Sequence, residues 1–98
     1  MIARLVTMTF NKEQVPAFLE VFELFKPRIA HFEGCIDLKL IQNLENPSEI
    51  STLSQWESED HLNRYRKSEL FGEVWPLTKK MFARQPTAVS FAVISVSK

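Results

Sequence analysis

Along this chain the spacing of apolar residues switches between period two and the helical period, and the order of the switches restricts the fold more than any other feature. Residues 2–10 alternate, setting Ile2, Arg4, Val6, Met8 and Phe10 on one face and Ala3, Leu5, Thr7 and Thr9 on the other. Asn11 with Gln14 then forms a helix-start signature, and Pro16 fits the first turn. Val15, Phe18, Leu19, Phe22, Phe25 and Ile29 recur at helical spacing, opposite Glu13, Glu20 and Glu23. Pro27 predicts a kink there or an end shortly before it, and Gly34 marks a break ahead of the next element.

Cys35 to Gln42 alternates again, with Ile36, Leu38 and Leu40 facing one way and Asp37 and Lys39 the other. The run Asn43-Leu44-Glu45-Asn46-Pro47-Ser48 is turn-like, and Ile50 to Trp56 reads as a third strand closing a hairpin. Ser58, followed by Glu59 and Asp60, opens a second helix whose inner face includes Leu62, Tyr65, Phe71, Trp75 and Phe82. Gly72 and Pro76 predict that this helix divides into two pieces. Pro86 opens a last strand, Thr87 to Val96, in which Val89, Phe91 and Val93 alternate against Ala88, Ser90 and Ala92.

The resulting order, βαββαβ, predicts an α+β, ferredoxin-like fold: a four-stranded antiparallel sheet with its helices on one face. Ninety-eight residues allow one domain, 1–98. Apolar side chains on both faces of the first and last strands leave the second sheet face in need of cover. Pairing two sheets face to face supplies it, so we expect a homodimer enclosing a dimeric α/β barrel.

Composition removes several function classes. Twelve Lys and Arg balance twelve Asp and Glu, which argues against nucleic acid or an anionic membrane as partner. Gly34 and Gly72 are the only glycines, too few for a dinucleotide loop or a phosphate-cradling loop. A single cysteine, Cys35, excludes an internal disulfide framework, and with only His31 and His61 no metal site is expected. The apolar run Ala88 to Val96 is about half the length a membrane-spanning helix needs. Without a targeting signature at the start, the expected location is cytoplasmic.

Gly34-Cys35, Trp56-Glu57-Ser58-Glu59 and Tyr65-Arg66-Lys67-Ser68-Glu69-Leu70-Phe71 resemble the antibiotic biosynthesis monooxygenase (ABM) family of dimeric α/β-barrel proteins. The resemblance covers nearly the whole chain in element order. It implies a small homodimer whose relatives include quinol monooxygenases, polyketide-tailoring monooxygenases and haem-degrading enzymes, several of them working without metal, flavin or haem. The implied function is cofactor-independent oxygenation of a quinol or polycyclic phenol by O2, so no cofactor is expected. The haem branch resembles itself in an Asn on the first strand, a Trp on the second helix and a ligating His beyond it. Here Asn11 falls at the strand's end, Tyr65 stands where Trp is expected and residues 70–82 hold no His, which disfavours haem degradation.

Each candidate residue carries a structural and a chemical reading. Trp56 closes the end of the sheet or offers its indole N–H to a substrate oxygen, and Tyr65 packs in the core or polarises a substrate oxygen with its phenol. Phe22, Phe71 and Trp75 are core or pocket wall. His61, in the first turn of the second helix, and His31, near the end of the first, are surface groups or the general base. Arg4 either pairs across the dimer with Asp37 or Glu57 or clamps a substrate carboxylate. Arg64, Arg66 and Lys67 read as a solvated face, and Cys35 as a small buried hydrophobe. The partner is then a small aromatic or hydrophobic ligand. A non-catalytic barrel binding a small hydrophobic metabolite, or a purely structural dimer with a filled interior, are the competing readings.

Overall fold

The computed structural model describes residues 1–97. Its elements are β1 (Ile2–Thr9), α1 (Val15–Ala30), β2 (Cys35–Gln42), β3 (Glu49–Trp56), α2 (Glu59–Arg66), α3 (Glu69–Lys79) and β4 (Thr87–Ala92), with a 3-10 turn at Lys12–Gln14 leading into α1. The strands form one antiparallel sheet in the order β2-β3-β1-β4, the expected ferredoxin-like arrangement. No helix among the described residues is long and apolar enough to cross a membrane.

Register decides what each face holds, because directly opposed residues share a face. Arg4 opposes Ser54 and Ser90, Val6 opposes Thr52 and Ala88, and Met8 opposes Ile50. This face receives α1: Met8, Phe10, Phe18, Phe22 and Ile50 form one buried cluster, and Phe25, Ile29 and Leu70 a second. The Phe10 and Phe18 rings stack with centroids 4.2 Å apart, fixing the start of the helix over the sheet. Burying each such ring contributes on the order of 2 kcal/mol. The opposite face sets Leu5 against Leu53 and Val89, and Ala3 against Phe91; Ile41, Val89 and Phe91 are exposed there.

Four local expectations are corrected or narrowed. Ile36 does not share a face with Leu38 and Leu40: the β2–β3 register shifts between Cys35 and Asp37, and the bulge turns Ile36 outward. The second helical region breaks at Lys67–Ser68, not at Gly72 or Pro76, which both lie inside α3. The reason is Ser68, whose hydroxyl donates to the Tyr65 carbonyl at 2.6 Å and accepts from the Phe71 N–H at 3.1 Å, ending one helix and capping the next. Of the two outcomes expected at Pro27, an end before it does not occur: helix α1 runs through Pro27 to Ala30, because Phe25 and Ile29, on either side of the proline, are both buried against the sheet and α3. Finally, β4 stops at Ala92 because its partner stops: Ala92 opposes Ile2, and beyond that pair the Val93 N–H reaches only the Met1 carbonyl, at 3.1 Å.

Candidate functional site

Between the helix-facing side of the sheet and the helices lies a cavity of about 320 Å³. Its floor is Val6, Met8, Thr52 and Ala88; its walls are Phe18 and Phe22 of α1, Trp56 at the end of β3, Tyr65 of α2, and Phe71 and Trp75 of α3. Five of the eight residues singled out from sequence as catalytic or binding groups (Trp56, Tyr65, Phe71, Phe22 and Trp75) form this wall together, and Arg4 stands at its edge.

The aromatic wall is continuous. Tyr65 stacks on Trp56 with centroids 5.1 Å apart and meets the Phe71 ring edge-on at 5.3 Å; Phe71 stacks on Trp75 at 5.6 Å. The Ser68 cap makes this possible by turning α3 against α2, so Tyr65 and Trp75 converge from two helices rather than from one. Trp56 is fully buried and its indole N–H already donates to Ser54 Oγ at 3.0 Å. The Tyr65 hydroxyl has no hydrogen-bond partner among the described residues. Burial, and secondarily the nearby Cys35, push its phenol up to about 12, so at neutral pH it is a hydrogen-bond donor and not a base. Burial likewise raises the half-buried Cys35 thiol.

Arg4 faces this cavity, whereas Asp37 lies on the outer face and pairs with Lys39 at 2.9 Å. Its Nη1 donates to Ser90 Oγ at 2.9 Å. Its guanidinium is held below the ordinary arginine value by burial and then by nearby Arg66. Arg66, read from sequence as part of a solvated face, also lines the cavity. The overlooked signal is its spacing from Leu62, which puts both on one side of α2.

Neither histidine lines the cavity. His31 Nδ1 sits 2.7 Å from the Pro27 carbonyl on the surface. His61 Nδ1 lies 2.7 Å from Ser58 Oγ, which also caps α2 by accepting the His61 N–H at 3.2 Å, and Nε2 is 3.7 Å from Glu57. Instead of surface exposure, His61 has a ring packed over Gly34, whose φ of +89° and lack of a side chain leave the ring its space. Among the described residues no cluster of His, Cys, Asp or Glu could hold a metal ion.

A single four-stranded sheet with helices on one side and an aromatic cavity between them defines a small α+β, ferredoxin-like domain. More narrowly, the chain belongs to the antibiotic biosynthesis monooxygenase family, whose family model matches residues 1–75. A conserved protein from Methanosarcina mazei is 26% identical, with a TM-score of 0.87 over 93% of this chain and 91% of that one. Rv0793 of Mycobacterium tuberculosis shares the fold at a TM-score of 0.89, with 12% identity over 99% of this chain and 98% of that one. A Halobacterium salinarum protein that its name links to heme binding is 28% identical over 80 residues, which is 82% of this chain and only 16% of that protein.

Proposed function

We propose that this protein is a cofactor-independent monooxygenase that hydroxylates a quinol or polycyclic phenol with O2, working as a homodimer joined through the open sheet face. The observation that carries this reading is the aromatic-walled cavity with one unpartnered phenol, Tyr65, whose ring packs against Trp56 and Phe71. A flat substrate lies against the stacked rings, and the Tyr65 hydroxyl donates to one of its oxygens. The substrate, once ionised, passes one electron to O2. The superoxide recombines at a ring carbon, and the resulting hydroperoxide loses water to leave the hydroxylated quinone. For 1,4-naphthohydroquinone the sum is C10H8O2 + O2 → C10H6O3 + H2O, which balances without an added reductant. The protein supplies burial, orientation and a fixed donor.

Haem fits the cavity poorly. The lining offers the Met8 thioether and a Tyr65 phenol that burial keeps protonated, and it has no imidazole or thiol. A second reading, a non-catalytic barrel that binds a small hydrophobic metabolite, draws support from the same lining, in which no carboxylate or imidazole stands beside Tyr65. Oxygen uptake by chelator-treated protein with 1,4-naphthohydroquinone and related quinols separates the two. The enzyme reading expects uptake well above autoxidation that falls in Tyr65→Phe; uptake at the background rate with every quinol supports the binding module.

A further inference from the structure

Two guanidinium groups reach one end of the cavity from different elements, Arg4 from β1 and Arg66 from the last turn of α2. Among the described residues neither meets a carboxylate within ion-pair distance, whereas Lys26, Arg28, Lys39 and Arg64 each do. Arg4 is half-buried and fixed by its bond to Ser90, and Arg66 lies close enough to disfavour its charge. Two like charges at the rim of an apolar cavity repel and are incompletely solvated until a counter-charge arrives. Planar guanidinium groups match a planar anion with paired oxygens or a single strong acceptor.

We propose that the cavity takes its ligand as an anion, with a flat aromatic body on the Trp56–Tyr65–Phe71 wall and an anionic oxygen group, carboxylate or phenolate, between Arg4 and Arg66. This rests on reading the cavity as the substrate site and adds the charge of what enters it. Arg4 is held in place before the ligand arrives, while Arg66, on the Leu62 side of α2, meets the anion from the solvent-exposed mouth of the cavity. For a phenolic substrate the pair favours ionisation, so the form that reacts with O2 is the form that is selected.

Calorimetric titration with 2-naphthoate and its neutral counterpart 2-naphthamide tests this. Naphthoate is expected to bind about tenfold or more tightly, as a charge-assisted contact requires. Arg4→Gln and Arg66→Gln each remove most of that preference, weakening naphthoate far more than naphthamide; Arg66 is exposed, so its variant tests the point even if Arg4→Gln folds poorly. An absorbance titration of bound 2-naphthol separates the two anion sources: a lowered phenol pKa in the wild type that reverts in Arg66→Gln assigns the site to phenolates, and an unchanged one assigns it to carboxylates. Equal affinity for naphthoate and naphthamide, unaltered by either substitution, overturns the anion subsite and leaves the cavity as a neutral-ligand site. Failure of all three probes to bind overturns the subsite and the substrate-site reading together.

Discussion

The Tyr65 ring lies on the Trp56 indole with centroids 5.1 Å apart and planes 25° from parallel, joining the second helix to the end of the third strand across the cavity wall. The two residues divide the work. Trp56 spends its N–H on Ser54 and holds the sheet end, while the Tyr65 hydroxyl has no partner among the described residues.

Tyr65→Phe keeps the stack and deletes only that hydroxyl. Thermal stability should change by less than about 1 kcal/mol, while kcat/KM for a quinol falls about 10- to 100-fold, the worth of one hydrogen bond to a charged oxygen. Trp56→Ala should instead cost about 3–5 kcal/mol of stability in denaturant unfolding. A Tyr65→Phe protein with full activity removes the hydroxyl from the mechanism.

The chain has one tyrosine, so its phenolate can be followed by ultraviolet absorbance without interference. The folded value of about 12 lies above the unfolded value of about 10, so the folded state holds the proton more tightly. This contribution is fully present below pH 10 and is lost as pH rises from about 10 to about 12, amounting to roughly 2–3 kcal/mol. Ionisation of the folded protein at pH 10 contradicts this burial.

The two glycines should answer to alanine with opposite signs. Gly34→Ala forces a side chain into the His61 ring at φ +89° and should lose at least about 2 kcal/mol. Gly72, inside α3 with open space where a Cβ would stand, should gain about 0.5–1 kcal/mol. Chemical denaturation of both variants checks the pair.

The proposed dimerisation through the open sheet face would make Phe91 an interface residue in both protomers. Phe91→Glu, placing like charges against each other, should shift the sedimenting species from twice the 11.4 kDa chain mass to one chain. Wild-type protein sedimenting as a monomer removes the barrel.

The fold is legible because each period change in the sequence coincides with an element, and the Phe18–Phe22–Phe25–Ile29 stripe is both the helix signal and the core. Breaks are less legible. Gly72 and Pro76 look like helix breakers, yet one serine hydroxyl with two partners ends α2 earlier, and a serine at that position is equally common on a surface. Ile36 escapes a reading by alternation because a bulge leaves no mark in a regular pattern. The aromatic wall can be named from composition and helical phase. The cationic rim is harder to read: alternation sets Arg4 with Val6 and Met8, and helical spacing sets Arg66 with Leu62, but that the two meet at one cavity follows only once α2 packs over the sheet.

Hydroxylation of 1,4-naphthohydroquinone under 18O2, with chelator present and the product analysed by mass spectrometry, bears most directly on the central claim. One labelled oxygen atom should enter the hydroxyquinone and the other should appear in water, at a rate that depends on Tyr65. A product formed at the autoxidation rate, or one carrying oxygen from solvent from the moment it forms, contradicts it.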